Sequence, residues 1–312
     1  MADVPEAQPS IEAVMTSTES DEDVSQAEEV EEVIAPPVDE HAIEFPETPV
    51  IKVLSAQNIA AVRDLCKRIG NKLGSVSVED CMSQPFIHDG LSEGGISLAY
   101  RDYEPVEGNQ PLGRVLVLGG IHGDEFSSVS VVFKWLQILD RTHSGLFHWR
   151  FAPLVNPDGL LQAKSERQNL NGVDLNRNFP TKDWEKHAHQ YWREATYRNP
   201  RRYPGQFAAS EVETQWVLDQ IDRFQPDIVI SMHAPYHLVD YDGPPQAPAY
   251  LGGLYLRQLG VFPGSLGNYV GIDLGKPIVT VELKSAGIMP SRGEIQNMWS
   301  DLVDWLIEQQ SR

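Results

Sequence analysis

The sequence predicts an α/β domain with a mixed, mostly parallel central sheet flanked by helices. Three observations carry this reading. From residue 51 to residue 312, short apolar runs alternate with segments whose apolar residues recur at three- and four-residue steps. One run, Arg114-Val-Leu-Val-Leu118, is apolar on both faces, as an inner strand of a parallel sheet must be. The chain has 312 residues, 41% of them hydrophobic, which is enough to enclose one large core.

The elements follow in order. Ile59, Val62, Leu65 and Ile69 mark an amphipathic helix ahead of the Gly70–Gly74 break. Gly95–Tyr103 and Arg114–Leu118 read as strands, the second ending in Gly119-Gly120. Val129, Val132, Phe133 and Leu136 give a helical stripe over Ser127–Asp140, and Phe147–Val155 reads as a strand. Val212, Trp216, Ile221 and Phe224 place a helix over Glu211–Phe224, and Pro226 then precedes a strand over Asp227–Met232. Ile278–Leu283 is the last strand. A helix over Glu294–Ile307, with Ile295, Met298, Trp299, Leu302 and Leu306 on one face, closes the chain.

Charge divides the chain differently. Residues 1–50 hold fifteen Asp and Glu and no Lys or Arg, so they form an acidic segment that cannot bury enough surface to fold alone. We read 1–50 as a disordered tail and 51–312 as the single catalytic domain, whose own charge is only −5. A net charge of −20 disfavours nucleic acid and anionic membrane surfaces as partners. No apolar run reaches membrane-spanning length, and the start of the chain has neither the basic nor the apolar part of a secretory signal. Cys66 and Cys81 cannot make a disulfide framework, so a cytoplasmic setting is expected, with one bridge between them left open.

The chemistry-bearing residues stand where strands end. His122-Gly-Asp-Glu125 follows the Arg114–Leu118 run, so an imidazole and a carboxylate three residues apart leave the sheet together. The spacing alone is weak: nine His and 45 acidic residues give about one such match by chance. His41-Ala-Ile-Glu44 and His237-Leu-Val-Asp240 are taken as coincidences of that kind. What distinguishes His122 and Glu125 is His233, which ends the Asp227–Met232 strand in the equivalent place. Two imidazoles and a carboxylate make the three-ligand set of a catalytic zinc with a fourth position open. Glu282, in the apolar run Ile278–Leu283, is costly to bury unless it is paired or functional. Beside a metal it is the natural proton acceptor.

A further cluster comprises Asn156-Pro-Asp-Gly159, then Arg167, then Asp174-Leu-Asn-Arg-Asn-Phe-Pro180. Two guanidinium groups among amides suit a carboxylate and an oxyanion. The whole ordered set resembles the zinc carboxypeptidase superfamily of the carboxypeptidase A type. Within it, the short Asn156–Pro180 stretch and Pro263-Gly-Ser-Leu-Gly267 are most similar to the bacterial branch acting on murein peptides. The similarity spans roughly residues 112 to 305.

The resemblance implies one Zn2+ per chain on His122, Glu125 and His233. It implies that Asp174 fixes the tautomer of His122, that Arg167 polarises the scissile carbonyl, and that Asn176 and Arg177 grip a substrate carboxylate. Glu282 would be the general base. The implied partner is a small peptide with a free carboxylate. The implied reaction is hydrolysis of the γ-D-glutamyl–meso-diaminopimelate bond in wall recycling. The enzymatic alternatives are a general metallocarboxypeptidase and a deacylase of the succinylglutamate or aspartoacylase type; a catalytically silent zinc-binding interaction protein is the alternative of another class. Digestive relatives close over substrate with a loop tyrosine, but among Tyr236, Tyr241, Tyr250, Tyr255 and Tyr269 none aligns with it.

Overall fold

The computed structural model describes residues 54–310. The acidic segment 1–50 lies outside the described residues. Chain order begins with helices α1 (Ala56–Lys72) and α2 (Val78–Met82), then strands β1 (Ile87–Leu91), β2 (Ser97–Tyr103) and β3 (Gly113–Leu118). Helix α3 (Phe126–Thr142), strand β4 (Phe147–Ala152) and helices α4 (Pro157–Leu161), α5 (Trp184–Glu194) and α6 (Val212–Phe224) follow. Strands β5 (Ile228–His233) and β6 (Leu238–Asp242) precede a small hairpin, β7 (Tyr250–Leu251) and β8 (Leu254–Tyr255). Strand β9 (Ile278–Glu282) and helix α7 (Arg292–Gln310) complete the domain.

The main sheet has seven strands in the order β1-β2-β4-β3-β5-β9-β6. Its centre, β4-β3-β5-β9, is parallel throughout, and the antiparallel pairings lie at the two sides. The mixed, mostly parallel sheet read from the sequence is therefore present. Val115 and Val117 face one core, where α1, α3 and α7 pack and Trp135, Trp149 and Trp299 cluster. Leu116 and Leu118 face the other, with Trp216, Val217, Ile221 and Phe224 of α6. A strand apolar on both faces is the only kind that can sit between two such layers.

Both edges of the sheet are covered. At the β1 side, Asn58 of α1 accepts the His88 N–H (2.6 Å) and donates to the Phe86 carbonyl (3.0 Å). At the β6 side, the Arg257 N–H donates to the Val239 carbonyl (2.8 Å). Cys66 on α1 and Cys81 on α2 are joined by a disulfide, which settles the pairing that the sequence left open. Among the described residues no helix is long and apolar enough to cross a membrane.

Candidate active site

The parallel register of β3, β5 and β9 brings the polar residues at their carboxyl ends together. His233 and Glu282 are paired neighbours on β5 and β9. β3 lies directly beside β5, so the loop that leaves β3 at Leu118 carries His122 to the same end of the sheet. This is where ligands collect in open α/β sheets. Glu125 sits at the N-cap of α3, where the helix terminus favours negative charge. The loop can take this course because Gly123 lies against the Gly159–Leu160 backbone, where a Cβ has no room.

The three side chains converge. His122 Nδ1 is 2.7 Å from Glu125 Oε1, His233 Nδ1 is 3.1 Å from Glu125 Oε2, and the two Nδ1 atoms are 3.1 Å apart. Asp174 accepts from His122 Nε2–H (3.2 Å), which leaves the Nδ1 lone pair of that ring for the cluster. His233 Nε2 pairs with Ser231 Oγ at 2.9 Å, so its Nδ1 also faces inward. Two nitrogen lone pairs and a carboxylate aimed at one point suit a cation. Burial opposes the charge on Glu125, but His122 and His233 outweigh it and hold the carboxyl well below the usual carboxylate range. His233 is likewise shifted upward, because Glu125 and Glu282 overcome the burial that disfavours its charge.

Asp174 organises the next layer. Fully buried, it accepts from Arg167 Nε (2.9 Å) and the Asn176 backbone N–H (3.1 Å) as well as from His122. Its pKa is lowered well below the ordinary value: burial works against this, and Arg167 and His122 prevail. Asn156, read as a turn residue, caps α4 by accepting the Gly159 N–H (2.8 Å) and holds Arg167 through that residue's carbonyl (3.2 Å). Arg167 Nη1 reaches to 3.5 Å from Glu125 Oε1, beside the cluster.

Arg177 is 6% exposed and lies over the Phe262 ring at 4.6 Å, and no carboxylate pairs with it among the described residues. Burial pushes its guanidinium down to about 10, with Asp174 opposing and Arg167 adding to the shift. Its backbone carbonyl accepts from Trp184 Nε1 (2.9 Å) and packs against Gly264, whose φ of +77° and lack of a Cβ the contact requires. Asn176 Oδ1 accepts the Leu266 N–H (2.8 Å). The Pro263–Gly267 segment therefore braces both Asn176 and Arg177.

Glu282 is 6% exposed and shares its cavity with His122, Glu125, Arg167, Asn176 and Arg177. Burial pushes its carboxyl up to about 7. The cavity encloses about 560 Å3. All of the candidate site residues thus meet around one space, except that His233 and Asp174 lie behind its walls. Of the five tyrosines left unassigned, Tyr236 lines the cavity and its backbone N–H reaches Glu282 Oε2 at 3.4 Å. Tyr241 is buried, Tyr250 and Tyr255 are exposed on the hairpin, and Tyr269 stacks on Phe179. Asp240 and Asp242 also line the cavity. Sequence reasoning missed them, although two acids alternating on the strand Leu238–Asp242 were a visible signal.

Known proteins resemble this chain in sequence and fold. Residues 101–243 match the model of the zinc carboxypeptidase family. The chain is 34% identical over 174 residues to murein peptide amidase A of Escherichia coli (strain K12), covering 54% of this chain and 69% of that protein. The chain belongs to the zinc carboxypeptidase family. It is a hydrolase. The homologous murein peptide amidase A of Vibrio campbellii is 30% identical over 180 residues, with the same coverage. Among solved structures, murein-tripeptide amidase from E. coli O157 matches at 26% identity with a TM-score of 0.50, covering 71% of this chain and 91% of that one. Thrombin-activatable fibrinolysis inhibitor matches in fold, at 19% identity and a TM-score of 0.58, over 80% of this chain and 71% of its own. The family implies zinc, and His122, Glu125 and His233 are the residues here that offer it three converging donors.

Proposed function

We propose that this chain binds one Zn2+ through His122, Glu125 and His233 and hydrolyses the γ-D-glutamyl–meso-diaminopimelate amide of murein peptides. The donor set fits the metal: two neutral nitrogens and a carboxylate, with the outer nitrogen of each ring engaged. Zinc held there would supply Lewis acidity, polarising a carbonyl oxygen and lowering the pKa of water to about 7.

The chain's own residues supply the rest. Glu282 takes the proton of the attacking water and passes it to the leaving amine, a role suited to a buried carboxyl raised toward neutrality. Arg167, fixed by Asp174, donates to the developing oxyanion. Asn176 and Arg177 bind the carboxylate of the leaving amino acid. The observation that carries the reading is Arg177: a buried guanidinium that no carboxylate pairs with among the described residues, in the same cavity as Glu282, calls for a substrate anion beside the cleaved bond. The named bond is supported by the likeness to murein peptide amidases.

The test compares zinc-loaded protein on a murein tripeptide, an ordinary C-terminal peptide and an N-acyl amino acid. Release of diaminopimelate at a kcat/KM at least tenfold above the other two supports the reading. Preference for the ordinary peptide makes the protein a general carboxypeptidase, and preference for the N-acyl amino acid makes it a deacylase. Recycling of wall fragments fits a cytoplasmic setting, whereas the Cys66–Cys81 bridge favours an oxidising one. Counting thiols in protein alkylated at lysis decides: two free thiols support the cytoplasm, and none argues against it.

A further inference from the structure

Hydrolysis as described leaves two carboxylates of the cavity without a task. β6 and β9 are antiparallel neighbours, with Leu238 opposite Glu282, Asp240 opposite Thr280 and Asp242 opposite Ile278. Side chains two apart on a strand share a face, so Asp240 and Asp242 lie on the same face of the sheet as Glu282. At ~3.3 Å per residue, Asp240 stands roughly 7 Å from the base along the strands, and Asp242 about twice as far. A straight side chain of three or four methylenes covers the first distance.

Among the described residues neither carboxylate is paired with a cation. Asp240 is 6% exposed, and its Oδ1 accepts the Leu259 N–H at 3.0 Å, which fixes the carboxylate's orientation. Asp242 has no hydrogen bond or ion pair among the described residues, and the Gly267 and Gly271 backbones press against it. Burial, followed by the charge of Asp240, pushes its carboxyl up to about 6. No Lys or Arg pairs with either group among the described residues, although Arg167, Arg177, Arg201 and Arg202 all line the same cavity. A buried carboxylate such as Asp240, with the half-buried Asp242 adding its charge, is expensive to hold apart from the protein's own cations unless a ligand brings the countercharge.

We propose that Asp240 and Asp242 form a specificity subsite that receives the side-chain ammonium of the leaving amino acid, so that the enzyme selects a diamino acid at that position. The proposal rests on the amidase reading above, with Arg177 holding the α-carboxylate of the same residue. Asp240 makes the first contact with the ammonium, and Asp242 extends the negative field beyond it. A neutral side chain of equal length leaves the buried Asp240 and the half-buried Asp242 unpaired.

The test uses γ-D-glutamyl dipeptides that differ only in the leaving residue: meso-diaminopimelate, lysine or its neutral counterpart norleucine. Zinc-loaded enzyme is expected to cleave the two substrates that carry a side-chain ammonium with kcat/KM about 10²-fold or more above norleucine, chiefly through KM. Asp240→Asn and Asp242→Asn are expected to cut the lysine-to-norleucine ratio at least tenfold. Norleucine cleaved within about threefold of lysine by the wild type overturns the proposal, as does a ratio unchanged in both variants. Calorimetry on the wild type, which needs no variant to fold, is expected to show free lysine binding at least tenfold tighter than free norleucine; equal affinities overturn the proposal. Equal cleavage of lysine and norleucine sinks this subsite and leaves the amidase reading standing. Cleavage of none of the three substrates sinks the amidase reading instead, and the calorimetric comparison still decides the subsite.

Discussion

At the scale of single residues, the proposed reading separates groups that would hold the metal from groups that would act on substrate. Replacing Glu282 with Gln keeps the size of the side chain and removes the base. We expect kcat to fall by roughly 10² to 10⁴ while zinc content, measured by atomic absorption, stays at one per chain. Replacing Arg167 with Ala is expected to lower kcat by roughly 10² to 10³ with zinc retained. Asp174→Asn should instead weaken zinc affinity by about 10- to 100-fold, because it loosens the orientation of His122. The pH dependence follows from Glu282. Its carboxyl is raised to about 7 by burial, and the base is active only when ionised, so kcat/KM must fall as pH falls through its pKa. A bound dication favours the ionised form, which places the acid limb below about 7. A pH profile that is flat from 8 down to 5 would refute this. The proposed donors and Glu282 were legible in the sequence because His233 and Glu282 end apolar strands and His122 and Glu125 follow one at a spacing of three. Asp240 and Asp242 were visible as two acids alternating on one strand, but their place in the site comes from the register of β6 against β9, which no local pattern encodes.

At the scale of elements, legibility followed burial. Strands β3, β5 and β9 and helices α3, α6 and α7 were found within a few residues, since each packs an uninterrupted apolar run or stripe into a core. Helix α1 runs through Gly70 to Lys72, two residues past the expected break, because Gly70 there meets Val78 of α2 too closely for any side chain. Helix α5 was missed although Trp184, Ala188, Tyr191 and Trp192 recur at helical spacing and form its buried and half-buried face. The hairpin strands β7 and β8 have two residues each, too few to show a period. The bridge between α1 and α2 spans 15 residues, which in the chain-entropy account contributes about 3 kcal/mol. Reduction is therefore expected to lower Tm by roughly 6–12 °C in scanning calorimetry. An unchanged Tm after verified reduction would show that the packing of α1 alone holds this corner.

At the scale of the whole molecule, the candidate site is confined to the carboxyl end of one sheet, and the residues lining its cavity run from His122 to Ala286. The acidic segment 1–50 contributes none of the site residues named above. Protein lacking 1–50 is expected to keep its zinc and its turnover within about twofold, and a large loss of either would give that segment a part in the enzyme. The clamp by which Asn58 closes β1 also matters beyond its two hydrogen bonds. A row of unanswered amides along a sheet border is a template on which another molecule can add a strand. Asn58→Ala should therefore turn a self-limited fold into a sticky one, seen as concentration-dependent growth in light scattering. One amide side chain would then be what keeps this enzyme from polymerising.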